Sequence, residues 1–423
     1  MKNERRKKIL VVDDDEKIRS FFKITLSDRG FDVTTTENGN SALEYCQKID
    51  FNVILMDYEM PGMTGLQVIT QMQKLNIDIP VIMMTGHESM DRTIEAMSIG
   101  VKDFIVKPFN ISSMLTTIDE HSDVNDVSTA EVKELPDTIA PEYRMIGSSP
   151  QIMKVYKSIG KISPSKNQNT VLITGETGTG KELVARQIHI WGKNQNQPFI
   201  GVNLNALPDS LVESELFGHT KGAFTNAADS RMGKLEFSQN GTILLDEIGD
   251  ISINIQIKLL RVLQEREYYP IGSNSVKSVS SRIIATTNVD LYEKIDDRLF
   301  REDLFYRLST FWIKIPPLRE RIEDIPLLAD YFIKKYSEPD SNRSSVKISK
   351  RALDYLKRYH WPGNVRELEN VMKSAISTNR KHTLDVKDFD FRELGRNKRM
   401  NGLNADGDKI KLENLNLQEA RRV

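Results

Sequence analysis

VLITGETGTGKELVARQI, residues 171–188, decides the fold of the larger part of this chain. Val171–Thr174 is a short apolar run of strand length, and GETGTGKE follows from Gly175 to Glu182. Leu183, Val184 and Ile188 then recur at helical spacing. Strand, glycine loop and helix in that order form the context that a phosphate-binding loop requires. Gly175, Gly178 and Gly180 free the backbone, so that its N–H groups, with those of Glu176, Thr177 and Thr179, can wrap phosphate oxygens. The helix start favours an anion, and Lys181 reaches the β and γ phosphates of a nucleotide. Glu182 stands where many such loops carry Ser or Thr, so a hydroxyl ligand for magnesium is missing there.

A second acid fills that gap. GTILLDEIGD places Asp246 and Glu247 at the end of another apolar run. Asp246 can hold magnesium and its water shell, and Glu247 can polarise an attacking water. These features together predict binding and hydrolysis of ATP. Asn288 ends RIIATTN, where it either positions the water or serves as a turn amide. Arg301 and Arg307, in FREDLFYRL, are either surface charges or fingers that stabilise transition-state charge. Arg366 follows WPGN, with Glu367 and Glu369 close by, and fits a surface ion pair as well as a phosphate contact.

The first third of the chain carries a different chemistry. Four apolar runs read as buried parallel strands: Ile9–Val12, Val53–Met56, Val81–Met84 and Phe104–Val106. Helical patterns separate them, one being Ile18, Phe21, Phe22 and Leu26. Asp13 and Asp14 follow the first run, Asp57 the second, Thr85 the third and Lys107 the fourth. In a doubly wound sheet the carboxyl ends of the strands converge on one crevice. Three carboxylates, a hydroxyl and an ammonium therefore meet. Crowded acids repel unless a cation neutralises them, and hard oxygen ligands with open positions suit magnesium. A carboxylate beside magnesium can attack a phosphoryl group to give an aspartyl phosphate, whose oxygens Thr85 and Lys107 can bind.

The chain as a whole sets the bounds. Its 423 residues suit two or three domains. Hydrophobic content of 39% and charged content of 28% describe a folded soluble protein. Lys+Arg 59 against Asp+Glu 60 gives no bulk reason for nucleic-acid or membrane binding. Behind MKNERRKK the apolar run is ended by Asp13, Asp14 and Asp15, which excludes a signal peptide. No stretch approaches the roughly 18 apolar residues of a membrane span, so no membrane association and a cytoplasmic location are expected. Cys46, the single cysteine, excludes an internal disulfide framework and reads as part of a buried helix face with Ala42, Leu43 and Ile49. Residues 121–142 are polar and acidic and read as a linker, and a polar tail covers 392–423.

Residues 1–120 resemble the response-regulator receiver family through VVDDDEKIR, ILMDYEMPGMTG, VIMMTG and KDFIVKPF. The resemblance implies a flavodoxin-like (βα)5 α/β fold. It makes Asp57 the phosphoacceptor and a histidine kinase the donor. It implies magnesium (Mg2+) held by Asp13, Asp14, Asp57 and the backbone carbonyl of Glu59. Thr85 and Lys107 become phosphate sensors, Phe104 the switch aromatic, and the Lys107–Pro108 bond is expected to be cis.

Residues 143–391 resemble the AAA+ domain of sigma-54-dependent transcription activators, the NtrC family. VLITGETGTGKELVAR, ESELFGHTKGAFT, GTILLDEIGD, LLRVLQE, REDLFYRL, PPLRERIEDI and WPGNVRELEN carry the likeness, in family order. It implies an α/β P-loop ATPase core over 143–320, a helical lid over 321–391, and a homo-oligomer ranging from a dimer to a hexameric ring. ATP would sit at subunit interfaces, with Lys181, Asp246 and Glu247 acting from one subunit and Arg301 and Arg307 from its neighbour. Arg366 becomes sensor II and Asn203 the switch partner of Glu247. The family's sigma-54 loop reads GAFTGA. Here Gly222, Ala223, Phe224, Thr225, Asn226 and Ala227 spell GAFTNA, and asparagine tolerates positive φ better than most residues. The resemblance thus implies a phosphorylation-controlled ATPase that remodels sigma-54 RNA polymerase to activate transcription. The alternative is a non-activating regulator that binds sigma-54 or co-assembles with a full-length relative. Family members usually end in a helix-turn-helix. LNLQEARR resembles its start but no recognition helix follows, so specific DNA binding is not expected from these residues.

Overall fold

The structure is a computed structural model that describes residues 6–86, 90–122, 143–165, 169–206, 208–223, 229–337, 346–379 and 383–389. Most of the expected linker, the tail, and Phe224 to Ala227 of the GAFTNA segment lie outside the described residues.

Apolar runs buried on both faces become central strands. The first unit alternates β1 (Lys8–Val12), α1 (Glu16–Ser27), β2 (Asp32–Thr36), α2 (Gly39–Lys48), β3 (Val53–Asp57), α3 (Gly65–Lys74), β4 (Val81–Thr85), α4 (Met90–Ser98), β5 (Asp103–Val106) and α5 (Ile111–Ser122). The parallel sheet runs β2-β1-β3-β4-β5. β3 and β4 are buried at every position, as their unbroken apolar sequences require. β2 reads DVTTT and was not among the four apolar runs: it is an edge strand, and only Thr36 of its five residues is buried. The expected cis bond is present at Lys107–Pro108.

The second unit begins with α6 (Pro150–Ile162), capped by the Ser149 side chain. It continues through β6 (Val171–Thr174), α7 (Lys181–Ile190), β7 (Phe199–Asn203), α8 (Asp209–Phe217), the single turn α9 (Lys234–Phe237), β8 (Thr242–Asp246) and α10 (Ile253–Glu265). The short pair β9 (Glu267–Tyr268) and β10 (Lys277–Ser278) leads to β11 (Arg282–Thr287), α11 (Leu291–Asp296), α12 (Glu302–Leu308) and β12 (Phe311–Lys314). The parallel sheet is ordered β12-β6-β11-β8-β7. A helical subdomain follows: α13 (Ile325–Tyr336), β13 (Lys347–Ile348), α14 (Lys350–Arg358), α15 (Asn364–Thr378) and β14 (Thr383–Leu384). It has its own core around Leu318, Phe332, Trp361 and Met372.

The two sheet units touch through α4 and α6. Ile94 of α4 is 1% exposed and packs with Ile152, Tyr156 and Ile159 rather than with the core of its own sheet. The approach is close because Gly160 has no side chain: a Cβ there would lie 2.3 Å from Met97 Cβ and 2.9 Å from the Ile94 carbonyl. Lys157 of α6 also pairs with Asp103, which bonds His121 of α5. Overpacking of this kind costs about 1–3 kcal/mol. Gly160→Leu is therefore expected to separate α4 from α6. Hydrogen exchange should rise at the α4 amides and stay unchanged at β1 and β3.

Candidate functional site

The first site lies at the carboxyl ends of β1, β3, β4 and β5. Asp13 is fully buried and Asp57 is 7% exposed, while Asp14 faces solvent. One carboxylate oxygen from each lies within 4.8 Å of the others. Lys107 Nζ donates to Asp13 Oδ2 and Asp57 Oδ1, each at 2.9 Å. Burial pushes the Asp57 carboxyl up to about 6; the Lys107 hydrogen bond opposes this and the Asp13 charge adds to it. Burial works against the Lys107 charge, but its bonds to Asp57 and Asp13 outweigh that and raise its pKa. Thr85 is buried at the end of β4, Phe104 is buried in the sheet's core, and Glu59 is exposed in the loop after β3. An oxygen-only triad with one face open to solvent fits a hard divalent cation such as magnesium. Sequence reasoning missed Arg19, whose guanidinium donates to the carbonyls of Asp13 and Asp14, both at 2.8 Å, and so shapes the acid loop.

The second site is built at the carboxyl ends of β6, β8 and β11. Gly175, Gly178 and Gly180 all take positive φ, so the loop turns as only glycine does easily. Lys181, 7% exposed, donates to the loop's own carbonyls at Gly175 (2.9 Å) and Glu176 (3.4 Å). Burial lowers its pKa, while the charges of Glu247 and Asp246 oppose the shift. Asp246 accepts a short bond from Thr286 Oγ1, which fixes its carboxylate at the strand end. Glu247 is held at φ 58, a rare angle for a glutamate, and burial raises its pKa. Asn288 links both parts: its N–H donates to Glu247 Oε2 at 3.3 Å and its side chain to Thr177 Oγ1 at 2.9 Å. The strand-end acids, the lysine and the asparagine therefore meet. Such a set can bind a triphosphate and polarise a water beside it.

Other expected residues are placed differently. Asn203 ends β7 in register with Asp246, but its side-chain oxygen accepts from the N–H groups of Asn205 and Ala206, both at 3.1 Å. Among the described residues, neither Arg301 nor Arg307 hydrogen-bonds to the phosphate loop of its own chain. Arg301 pairs with Asp303 at 2.7 Å, and Arg307 is exposed. Glu182 pairs along its helix with Arg186 at 2.8 Å. Arg366 lies against the loop, its N–H donating to the Gly178 carbonyl at 3.3 Å. Gly222, with φ 79, and Ala223 begin the GAFTNA segment.

Sequence reasoning also missed a cavity of about 140 Å³ between the sheet unit and the helical subdomain. Met145, Ile146, Gly180, Leu183 and Leu328 line it, beside the end of the phosphate loop. It is a mostly apolar slot next to a phosphate cradle. No motif marks it, because its walls come from four separate segments, around residues 144–146, 179–183, 321–335 and 365–369.

An acid cluster with a strand-end lysine at one sheet, and a glycine loop with an Asp-Glu pair and a helical lid at the other, define a receiver joined to a AAA+ ATPase. Comparisons with known proteins agree. The response regulator receiver domain matches residues 9–119, the sigma-54 interaction domain 145–314, and the AAA+ ATPase lid domain 319–405. The chain is 40% identical over 375 residues to the regulatory protein AtoC of Escherichia coli K12, covering 88% of this chain and 80% of AtoC. It is 42% identical over 369 residues to the transcriptional regulatory protein ZraR of Klebsiella oxytoca, covering 87% and 82%. A crystal structure of NtrX from Brucella abortus in complex with ATP aligns over 99% of this chain and 90% of its own, with a TM-score of 0.54 and 29% identity. The chain belongs to the sigma-54-dependent response regulators of two-component systems, transcription regulators that combine a receiver with a AAA+ domain. ATPase activity and ATP binding are properties of that family's AAA+ domain. Among the described residues, no helix is long and apolar enough to cross a membrane.

Lys107→Ala removes the one ammonium bonded to both Asp13 and Asp57. Loss of the counter-charge to two buried carboxylates should cost about 3 kcal/mol without magnesium. With the competing charge gone, magnesium should raise the melting temperature of the variant by more than it raises that of the wild type. Thermal melts with EDTA and with excess magnesium check both expectations.

Proposed function

We propose that this chain is a phosphorylation-controlled ATPase whose turnover remodels sigma-54 RNA polymerase to activate transcription. The observation that carries the reading is the convergence of Lys181, Asp246, Glu247 and Asn288 on one glycine loop. Backbone N–H groups of 175–180 cradle the phosphates, and Lys181 exchanges its bonds to loop carbonyls for phosphate oxygens. Asp246 would hold Mg2+, which would supply charge neutralisation at the phosphates. Glu247, aimed by Asn288, polarises the water that attacks the γ phosphorus, and ADP leaves. The apolar slot beside Gly180 and Leu183 takes the adenine. Arg366, from the lid, reads the phosphates. Asn203 fixes the turn after β7 and, on the family pattern, exchanges with Glu247 during the cycle.

Control enters at Asp57. In the proposed step a carboxylate oxygen of Asp57 attacks the phosphorus of a kinase phosphohistidine, the P–N bond breaks, and the imidazole leaves. Asp13, Asp14 and Asp57, with the Glu59 carbonyl, hold the Mg2+ that offsets the crowded charge. Lys107 and Thr85 then bind the new phosphate oxygens, with Phe104 behind them. The remaining elements of the reading are a cytoplasmic homo-oligomeric ring, Arg301 and Arg307 donated in trans, the domain limits 1–120, 143–320 and 321–391, and sigma-54 contact through the GAFTNA segment.

The test is the ATPase rate of the full chain against protein concentration, with and without a small-molecule phosphate donor. The specific rate should rise with concentration, and the donor should shift that curve. Glu247→Gln should keep ATP binding and lose at least a hundredfold in turnover, in the range of removed electrostatic catalysts. Asp57→Ala should abolish the donor's effect; an effect that survives it removes Asp57 as the switch. Sigma-54 binding without promoter opening, repaired by Asn226→Gly, would favour the non-activating regulator.

A further inference from the structure

The side chain of Glu176, the second residue of the phosphate loop, is held by the helical subdomain. Arg319 grips its carboxylate with both guanidinium nitrogens, at 2.8 Å to Oε2 and 2.6 Å to Oε1. Asn364 Nδ2 donates to Glu176 Oε2 and to the Thr177 carbonyl, both at 3.1 Å. The oxygen of the same amide accepts from the Leu318 N–H at 2.8 Å, so its three partners fix which end faces the loop. Asn364 is fully buried and sits at φ 54, and Trp361 before it sits at φ 50. Backbone strain of this kind persists only where the surroundings over-determine it. Here the determinants are the buried Trp361 ring, bonded to the Leu356 carbonyl at 2.9 Å, and the Asn364 amide itself. The turn also presses on the loop: a Cβ on Gly178 would lie 2.3 Å from the Gly363 carbonyl.

The core limit drawn from the sequence, residue 320, passes through this turn, but Arg319 lies in the span 319–405 matched by the lid domain and follows Leu318, which is buried in the lid core; Asn364 is bonded to Leu318, so both belong to one body. Glu176 faces the other way through its backbone. Its carbonyl accepts from Thr179 Oγ1 at 2.8 Å and from Lys181 Nζ at 3.4 Å. One residue therefore ties the phosphate-reading lysine to the lid. The pair with Arg319 is about two-fifths exposed on each side, and such a pair contributes little to global stability. Its bidentate geometry contributes direction instead.

We propose that Glu176, Arg319 and Asn364 form a latch in which lid position sets the shape of the phosphate loop, so that they act as positioning residues for nucleotide binding. This rests on the ATPase reading above. Lid displacement must either carry Glu176 with it or break the charge-assisted bonds. Nucleotide affinity then depends on the latch, although neither Arg319 nor Asn364 need touch a phosphate.

The experiment uses the full chain as wild type, Glu176→Ala, Arg319→Ala, the double variant, and the charge swap Glu176→Arg with Arg319→Glu. Dissociation constants for a fluorescent ATP analogue are measured with KM and kcat, and with hydrogen exchange of amides 176–180 in nucleotide-free protein. Each single variant should weaken binding about tenfold, the scale of a charge-assisted bond. The double variant should be no worse than the singles, and exchange at 176–180 should quicken in all three. For Arg319→Ala the loss should fall on KM rather than kcat, and the swap should recover part of the affinity. Single-variant affinities within twofold of wild type, losses that add independently, or unchanged exchange would each overturn the latch. Wild-type protein that binds no ATP analogue would instead overturn the ATPase reading, and the latch with it.

Discussion

Asp324 is a carboxylate with no solvent exposure, and much of the molecule meets at it. It accepts from the N–H groups of Ser148 (2.6 Å) and Ser149 (2.8 Å) and from the Ser149 hydroxyl (2.7 Å). Gly147 makes room, since a Cβ there would lie 2.7 Å from Asp324 Oδ2. Arg321, equally enclosed and three residues away, donates to the Thr179 carbonyl in the phosphate loop at 3.1 Å. A charge this deeply buried is tolerable only with such partners. The result joins three things: the wall of the cavity beside the phosphate loop at Met145 and Ile146, the root of the lid, and the cap of α6. α6 in turn carries the receiver through Gly160 and Lys157.

This arrangement gives regulation a physical route. Thr85 ends β4, the strand before α4, and Lys107 follows β5, the strand that carries Asp103. Groups that would bind new phosphate oxygens thus adjoin the parts that meet α6, namely α4 and Asp103. A change of Asp57 chemistry can shift an equilibrium only by as much as it favours one arrangement of those elements, about 5.5 kcal/mol for a near-complete switch. The contact is made of a close-packed glycine, a buried isoleucine and an ion pair, and the two packing contacts lose energy steeply on small displacement. An interface of that kind favours two discrete states over gradual sliding.

How much was legible in the sequence follows the range of the interaction. Strands β1, β3, β4, β6 and β8 announce themselves because burial on both faces demands runs of apolar residues, and β11 is legible through Ile283–Ala285 although Arg282, Thr286 and Thr287 flank them. β2 does not, because an edge strand can carry threonines toward water. The strand-end placement of Asp13, Asp57, Lys107 and Asp246 was readable from the same logic, since parallel strands bring their carboxyl ends together, and Lys181 was readable from the strand–glycine loop–helix order. Glu247 at φ 58 and the Asn288 bridge to Thr177 needed coordinates. So did the grip of Arg319 and Asn364 on Glu176, more than a hundred residues apart in sequence, which leaves no local period to detect. PPLRERIEDI and WPGN were visible as family blocks, but their residue types alone gave no role to Arg319, Arg321, Asp324 or Asn364.

The nucleotide site also explains why a single chain is insufficient under the proposed function. Charge spreads over the γ-phosphoryl oxygens during transfer and needs cationic donors close by. Within one chain Lys181 supplies one such charge and Arg366 stands beside the loop. Among the described residues neither Arg301 nor Arg307 bonds this loop: Arg301 pairs with Asp303 and Arg307 is exposed. Tyr292, Tyr306 and Trp312, which cluster about Phe305 of α12, are 52%, 65% and 46% exposed, large aromatic surfaces that a solitary domain has reason to cover. Arginines and exposed aromatics carried by one segment have the composition of interface anchors. Under the proposed function, a neighbour's phosphate loop would offer the complementary anionic partner once ATP is bound. Hydrolysis would then be linked to assembly by the chemistry itself, because the contact that covers the aromatics would also complete the transition-state charge balance.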